Sequence, residues 1–268
     1  MILTDTAKST YASEAGHWYG RDGSSQYEIV GKTGRRNTTL RDARKLGLCP
    51  SVTTIIKCAA APGLEIWKAN QMMMSALTLP RREGETEALW LERVVHDSKE
   101  TGRNAADRGS LIHAAIQGHY EGKQQSEGML AYCHGASAAL AETFGADLPW
   151  VAEQSFAHPM GFGGKVDIHC GIVVADFKTK EFDDPLKKMA YDEHAMQLAA
   201  YRIGLGFPKA RCANVFCSVT KPGLAVVHEW SEEDLAKGWR MFCGLLDYWK
   251  AKSGYDPSWT ANAEQAAA

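Results

Sequence analysis

The sharpest alternation of apolar and polar positions runs from residue 165 to residue 179. Two β-branched segments, 165–169 and 172–179, flank Cys170-Gly171 and predict a hairpin. Val173, Ala175 and Phe177 share one face and read as core, while Asp176 and Lys178, two residues apart, leave the opposite face. With the turn centred on Cys170-Gly171, Asp167 lies opposite Val174 and diagonal to Asp176 on that polar face.

Elsewhere the period is helical or marks short strands. Strands are expected at 17–19 and 26–30, and a helix over 38–47 ends at Gly47. Pro62 opens a helix to about Leu79, in which Trp67 and the Met72-Met73-Met74 run read as packing. A charged helix over 83–100 turns Trp90, Leu91, Val94 and Val95 to one side. The character changes at Arg103, and a separate helix over 105–120 carries His113 among Leu111, Ile112, Ala114 and Ile116. A helix at 127–144 and a strand at 150–157 with Glu153 precede the hairpin. A helix at 187–206 follows it, with Gln197 and Tyr201 neighbours at i and i+4. Strands at 211–219 and 224–230 pair around Lys221-Pro222-Gly223, and Ser231 caps a last helix to about Lys252.

From residue 103 onward the order is helix, three strands, helix, strand, with a strand and a helix appended. That order predicts an α/β sandwich with a mixed central sheet. The expected organisation is a mainly helical, basic N-terminal subdomain over 1–95 opening on a loose arm, a core over 96–260, and a disordered tail over 261–268.

Composition narrows the function. Net charge is -2, with 45% hydrophobic and 23% charged residues, so no global basic field marks a polyanion partner. A local patch does stand out: Lys32, Arg35, Arg36, Arg41, Arg44 and Lys45, opposed by Asp42, form either a solvated surface or a phosphate-contacting one. Ser51 and Thr53 serve as a helix cap or as phosphate donors. Gly31-Lys32-Thr33 is not a phosphate loop, because Gln26 stands where that motif needs glycine. Seven scattered cysteines without C-x-x-C argue against a disulfide framework or a zinc ribbon and for reduced thiols in a cytoplasmic protein. The first residues lack a basic-then-apolar signal pattern, and no apolar run reaches the ~20 residues of a membrane span.

The polar face of the hairpin carries the candidate chemistry. Two carboxylates so close repel unless a counter-charge binds between them. A divalent cation such as Mg²⁺, which takes oxygen ligands, is one resolution, and a solvated face is the other. Further along the chain, His113, Glu153, Gly164-Lys165-Val166-Asp167, Asp176-Phe177-Lys178-Thr179 and Gln197-x-x-x-Tyr201 follow one another in order. This set resembles the PD-(D/E)XK nuclease superfamily, in its RecB-like exonuclease branch, over residues 103–206. Pro50-Ser51-Val52-Thr53-Thr54 and Pro62-Gly63-Leu64-x-x-Trp67 also look like N-terminal segments of phage-encoded members. The chain departs from the branch in having no proline before Asp167.

The resemblance implies a restriction-endonuclease-like αβββαβ core and a metal-dependent DNA exonuclease, a hydrolase of recombination, repair or end processing. Asp167, Asp176, the Phe177 carbonyl, His113 and Glu153 would ligate one or two Mg²⁺ or Mn²⁺ ions. Lys178 would position and help deprotonate the attacking water. Gln197, Tyr201, Arg108, Ser51, Thr53, Arg35, Arg36 and Arg41 would contact nucleic acid, with Gln197 and Tyr201 alternatively bracing the site. The cysteine spacing gives no iron–sulfur cluster. Linear DNA ends are the expected substrate, with a recombination or single-strand-binding protein as a possible partner, in the cytoplasm, or the host's cytoplasm for a phage protein. The alternative is a nuclease fold that binds nucleic acid without cleaving it. An unrelated histidine metallohydrolase finds no H-E-x-x-H here.

Overall fold

The computed structural model describes residues 16–31, 34–187 and 189–260. The expected arm (up to residue 15), Lys32 and the tail over 261–268 lie outside these residues. Two short pairings open the chain. β1 (Trp18–Tyr19) pairs with β4 (Cys49–Pro50), and β2 (Glu28–Gly31) with β3 (Gly34–Asn37). Between them α1 (Leu40–Leu46) starts at the Thr39–Asp42 capping box and stops at Gly47, whose φ of 68° suits a residue without Cβ. Ser51 then caps α2 (Val52–Ile56).

These N-terminal elements do not stand apart as a subdomain. Trp18, Ala43, Leu48, Val52 and Ile55 share one core with Phe162, Met196, Leu198 and Leu246. Non-local packing of this kind leaves no period in a sequence.

α3 (Pro62–Thr78) is followed by α4 (Glu87–Tyr120), a single helix of 34 residues, about 51 Å long. The expected break between 100 and 105, and the boundary at 95, both fall inside it. Gly102 alone does not stop a helix: it weakens one by about 1 kcal/mol and brings neither cap nor proline. α5 (Glu127–Phe144) occupies the expected span.

The remainder is an α/β domain with a mixed five-stranded sheet. β5 (Val151–His158), β6 (Phe162–His169), β7 (Val173–Lys180), β8 (Arg211–Ser218) and β9 (Ala225–Trp230) lie side by side in chain order. Only β7 and β8 run parallel, joined by a crossover through α6 (Asp192–Gly204), and α7 (Glu232–Ser253) closes the fold. α6 is shorter than expected, because 181–187 and 189–190 form turns and irregular chain and the helix begins after Tyr191. The sheet is covered on both faces. Val166, Val174 and Cys212 pack beneath α6 and α7, whereas Ile168, Ala175, Phe177 and Val215 pack beneath α4 and α5. No helix among the described residues is long and apolar enough to cross a membrane.

Candidate metal centre

The hairpin turn sits one residue later than expected. Cys170 N–H bonds to Val173 O around Gly171-Ile172, with Gly171 at φ 81°. Shifting a turn centre by one residue shifts the register by two, so each side chain keeps its face. Ile168 pairs with Ala175 and His169 with Val174, which aligns Asp167 with Asp176 directly rather than diagonally. The backbone ladder ends there. Asp167 Oδ2 takes its place, accepting the Phe177 N–H at 2.8 Å.

β5 and β6 are distorted at the same level. Their pairing skips Glu153 and Asp167, between Ala152–Ile168 and Gln154–Val166. Glu153 is the one non-glycine residue at positive φ among the described residues, at 60°. Val166 and Ile168, two apart on one strand, pack into opposite cores. The sheet therefore changes facing at Asp167, and the left-handed backbone at Glu153 stores roughly 1–3 kcal/mol of strain that the surrounding packing must hold.

α4 supplies the third group. Gly109 lets it lie close to β7: a Cβ there would come within 2.7 Å of Thr179 Oγ1. One turn further along, His113 reaches over Asp167, its ring edge-on to Phe177 at 6.1 Å between centroids. His113 Nε2 is 3.1 Å from Asp167 Oδ2, yet the two are not aligned as a hydrogen bond, and Nε2 is buried without a hydrogen-bond partner. One donor atom each from His113, Glu153 and Asp167 falls within 4.8 Å of the other two. A buried imidazole nitrogen and two carboxylate oxygens converging in this way, with the nitrogen making no aligned hydrogen bond, fit a divalent cation. Glu153 also ion-pairs with Lys165.

Asp176 lies beside this trio, fully buried, with both oxygens engaged. Oδ1 accepts from Gln197 Nε2 at 2.8 Å. Oδ2 accepts from Asn214 Nδ2 at 2.9 Å and pairs with Lys178 Nζ at 2.7 Å. Gln197 also accepts from Lys178 at 3.1 Å and donates to the Tyr201 hydroxyl at 2.9 Å. Gln197 and Tyr201 are both buried in this network, Gln197 tying Asp176, Lys178 and the Tyr201 hydroxyl together.

The charges answer to these surroundings. Burial pushes the Asp176 carboxyl up to about 6, against the pull of Lys178 and with the push of Asp167. Burial also works on Asp167, but His113, Lys178 and the Phe177 N–H outweigh it and hold Asp167 below its ordinary value. His113 is raised because Asp167 and Asp176 overcome its burial. The same two carboxylates keep Lys178 above its ordinary value despite burial.

The other expected contacts are scattered. Ser51 is buried and spends its oxygen on the Thr54 N–H, while Thr53 hydrogen-bonds Ser51, so both serve the cap. Arg36 grips Asp42 through two bonds of 2.7 and 2.9 Å, and Arg35 pairs with Glu28 at 3.4 Å. Arg108 donates to the Val219 carbonyl at 2.6 Å, and Arg41 is exposed. The Met72–Met74 run is about half exposed rather than packed, whereas Trp67 lays its ring beside Gly102 of α4.

Asn214 is the site residue that sequence reasoning missed. It is fully buried and is oriented by Trp230 Nε1, which donates to its Oδ1 at 2.8 Å. A lone amide inside the apolar run Cys212-Ala213-Asn214-Val215-Phe216-Cys217 was the available signal.

No family model matches the chain, and no curated protein does. A solved structure described as "Crystal structure of SSO0001" matches 68% of this chain and 86% of its own, at 13% identity and TM-score 0.30, a likeness too slight to argue from.

Proposed function

We propose that the protein is a divalent-metal-dependent nuclease with a restriction-endonuclease-like core, acting on DNA ends. The observation that carries this reading is the convergence of His113, Glu153 and Asp167 within 4.8 Å at a locally broken sheet. Next to them on β7, Asp176 and Lys178 supply the D-x-K of the sequence resemblance.

In this reading His113, Glu153 and Asp167 hold the cation, and Asp176 borders it. A bound divalent ion lowers the pKa of a coordinated water and offsets charge on phosphate oxygens. Lys178 stays protonated, since the neighbouring carboxylates raise it. Its part is therefore a fixed positive charge facing the phosphate rather than a base, a kind of contribution worth about 3 kcal/mol of barrier. Gln197 and Asn214 keep Asp176 and Lys178 in register. Arg35 and Arg41, both exposed, belong to the surface that meets the DNA backbone.

The test is incubation of end-labelled linear, closed circular and single-stranded DNA with Mg²⁺, Mn²⁺ or EDTA. Cleavage of linear DNA with metal and none in EDTA is expected. Cutting of closed circles rejects the exonuclease assignment, and activity in EDTA rejects the metal mechanism. One feature favours a second reading, a module that binds without cleaving: Asp176 and Lys178 already satisfy each other in a closed, buried network. Retention of DNA with no cleavage under any metal supports that module.

A further inference from the structure

Two lysines flank the cation cluster from different strands. Lys178 on β7 is tied to Asp176, and Lys165 on β6 is tied to Glu153. The Lys165 side chain is 39% exposed, and the Glu153 oxygen it faces, Oε2, is buried and makes no aligned hydrogen bond. The contact rests on charge, and the same carboxylate belongs to the cation trio. The ground around Lys165 is cationic and aromatic. Where β6 parts from β7, Gly163 pairs with Ser51, which brings N-terminal elements against this corner. Tyr19 and Tyr27 meet hydroxyl to hydroxyl at 2.7 Å, and the exposed His17 ring stacks on Tyr27 at 4.4 Å between centroids. Burial first, then the charges of Lys57 and Lys165, hold His17 below its ordinary value, so two ammoniums act on this corner.

We propose that Lys165 contacts the substrate: it exchanges the Glu153 carboxylate for a backbone phosphate of the nucleic acid when that carboxylate ligates a divalent cation. The inference rests on the assignment of His113, Glu153 and Asp167 as the cation's ligands. A count of charges drives the exchange. Glu153 and Asp167 carry two negative charges, which a divalent cation cancels, and His113 gives a lone pair without charge. Asp176 and Lys178 cancel each other. Lys165 is then left with one positive charge over, and repulsion between cation and ammonium weakens its hold on Glu153. Glu121, a further carboxylate in the field of Lys165, already pairs with Lys123 and accepts from Gln117. One phosphodiester carries the single negative charge that balances Lys165. A lysine is a point charge on a flexible four-carbon stem, so it reaches a new partner by side-chain rotation. Cation uptake and the grip on the strand are thereby coupled, because the ammonium is offered to DNA only at a loaded site.

The test takes Lys178→Ala as the parent, so that DNA is cut slowly, and adds Lys165→Gln or Lys165→Met, neutral side chains with and without a hydrogen bond for Glu153. Circular dichroism checks the fold. Mn²⁺ uptake is followed by electron paramagnetic resonance, and DNA affinity by fluorescence anisotropy of a short labelled duplex in Mn²⁺ and in EDTA. Both variants are expected to take up Mn²⁺ at least as tightly as the parent, because a competitor for Glu153 is gone. In Mn²⁺ they should bind DNA about 10-fold more weakly than the parent, the loss of one charge-assisted contact, and in EDTA equally well. Lys165→Arg should keep most of the Mn²⁺-dependent affinity. A gap in DNA affinity that is absent, or that is the same in Mn²⁺ and in EDTA, overturns the exchange. So does weaker Mn²⁺ uptake by both variants. A parent that takes up no Mn²⁺ fails the cation assignment and the inference with it, whereas a parent that takes up Mn²⁺ and gives either of the former results fails the inference alone.

Discussion

Burial holds the Asp176 carboxyl at about 6, against an ordinary 3.8. A carboxyl raised in the folded state contributes stability that is complete below its unfolded pKa and is lost as pH rises through its folded one. Between about pH 4 and pH 8, in EDTA, wild type should therefore lose stability relative to Asp176→Asn by on the order of 3 kcal/mol. Denaturant unfolding of both proteins at the two pH values measures the gap, and a gap that ignores pH removes the claim that this carboxylate is buried at a cost. Lys178 belongs to the same network but to the chemistry. Lys178→Ala should slow single-turnover cleavage by ~100-fold or more while leaving DNA affinity within a few-fold. Wild-type rates in that variant would take Lys178 out of the site. Most of these residues could be picked from the sequence, because acids, a lysine and a histidine in ordered spacing are visible there. Two facts were not: the positive φ of Glu153, which no residue type announces, and Asn214, whose partner Asp176 is 38 positions away in the chain.

Among the elements, α6 is seated tightly against β5. A Cβ at Gly204 would fall 1.9 Å from the Phe156 ring, so helix and β5 meet where no side chain fits. Gly204→Ala should destabilise the fold by about 1–3 kcal/mol, seen as a lowered Tm with activity per folded molecule retained. An unchanged Tm would mean the ring moves aside freely. Helices and strands with a strong period, such as α5, β8 and α7, fell where their patterns put them. The β6–β7 turn moved by one residue, because Cys170-Gly171 and Gly171-Ile172 are nearly equivalent as turn pairs until the ladder chooses between them. The length of α4 was hidden for a different reason: its two halves face different surroundings, so one continuous helix reads as two. α3 misled most. An apolar stripe normally points inward, and here it points to solvent.

At the scale of the whole molecule, the order of strands and helices after residue 103 was legible because it depends on local periods alone. The docking of Trp18, α1 and α2 into the same core was not, since contacts such as Val52 with the α6–α7 layer join distant parts of the chain. That docking keeps the exposed arginines of β3 and α1 on the same body as the cation cluster. Neutralising Arg35 and Arg41 together should flatten the salt dependence of DNA binding by up to about two in log–log slope, if each meets one phosphate. A slope equal to that of wild type moves the DNA surface elsewhere. Arg36, tied to Asp42, should contribute little to the slope but should loosen α1 when removed.

The central claim is that His113, Glu153 and Asp167 together hold a divalent cation. The most direct test is a Mn²⁺ titration followed by the electron paramagnetic resonance of the free ion, on wild type and on Asp167→Asn. The account predicts stoichiometric uptake by wild type and at least ~100-fold weaker uptake by the variant, with its fold intact. Equal uptake by the two proteins, or none by wild type, would contradict it.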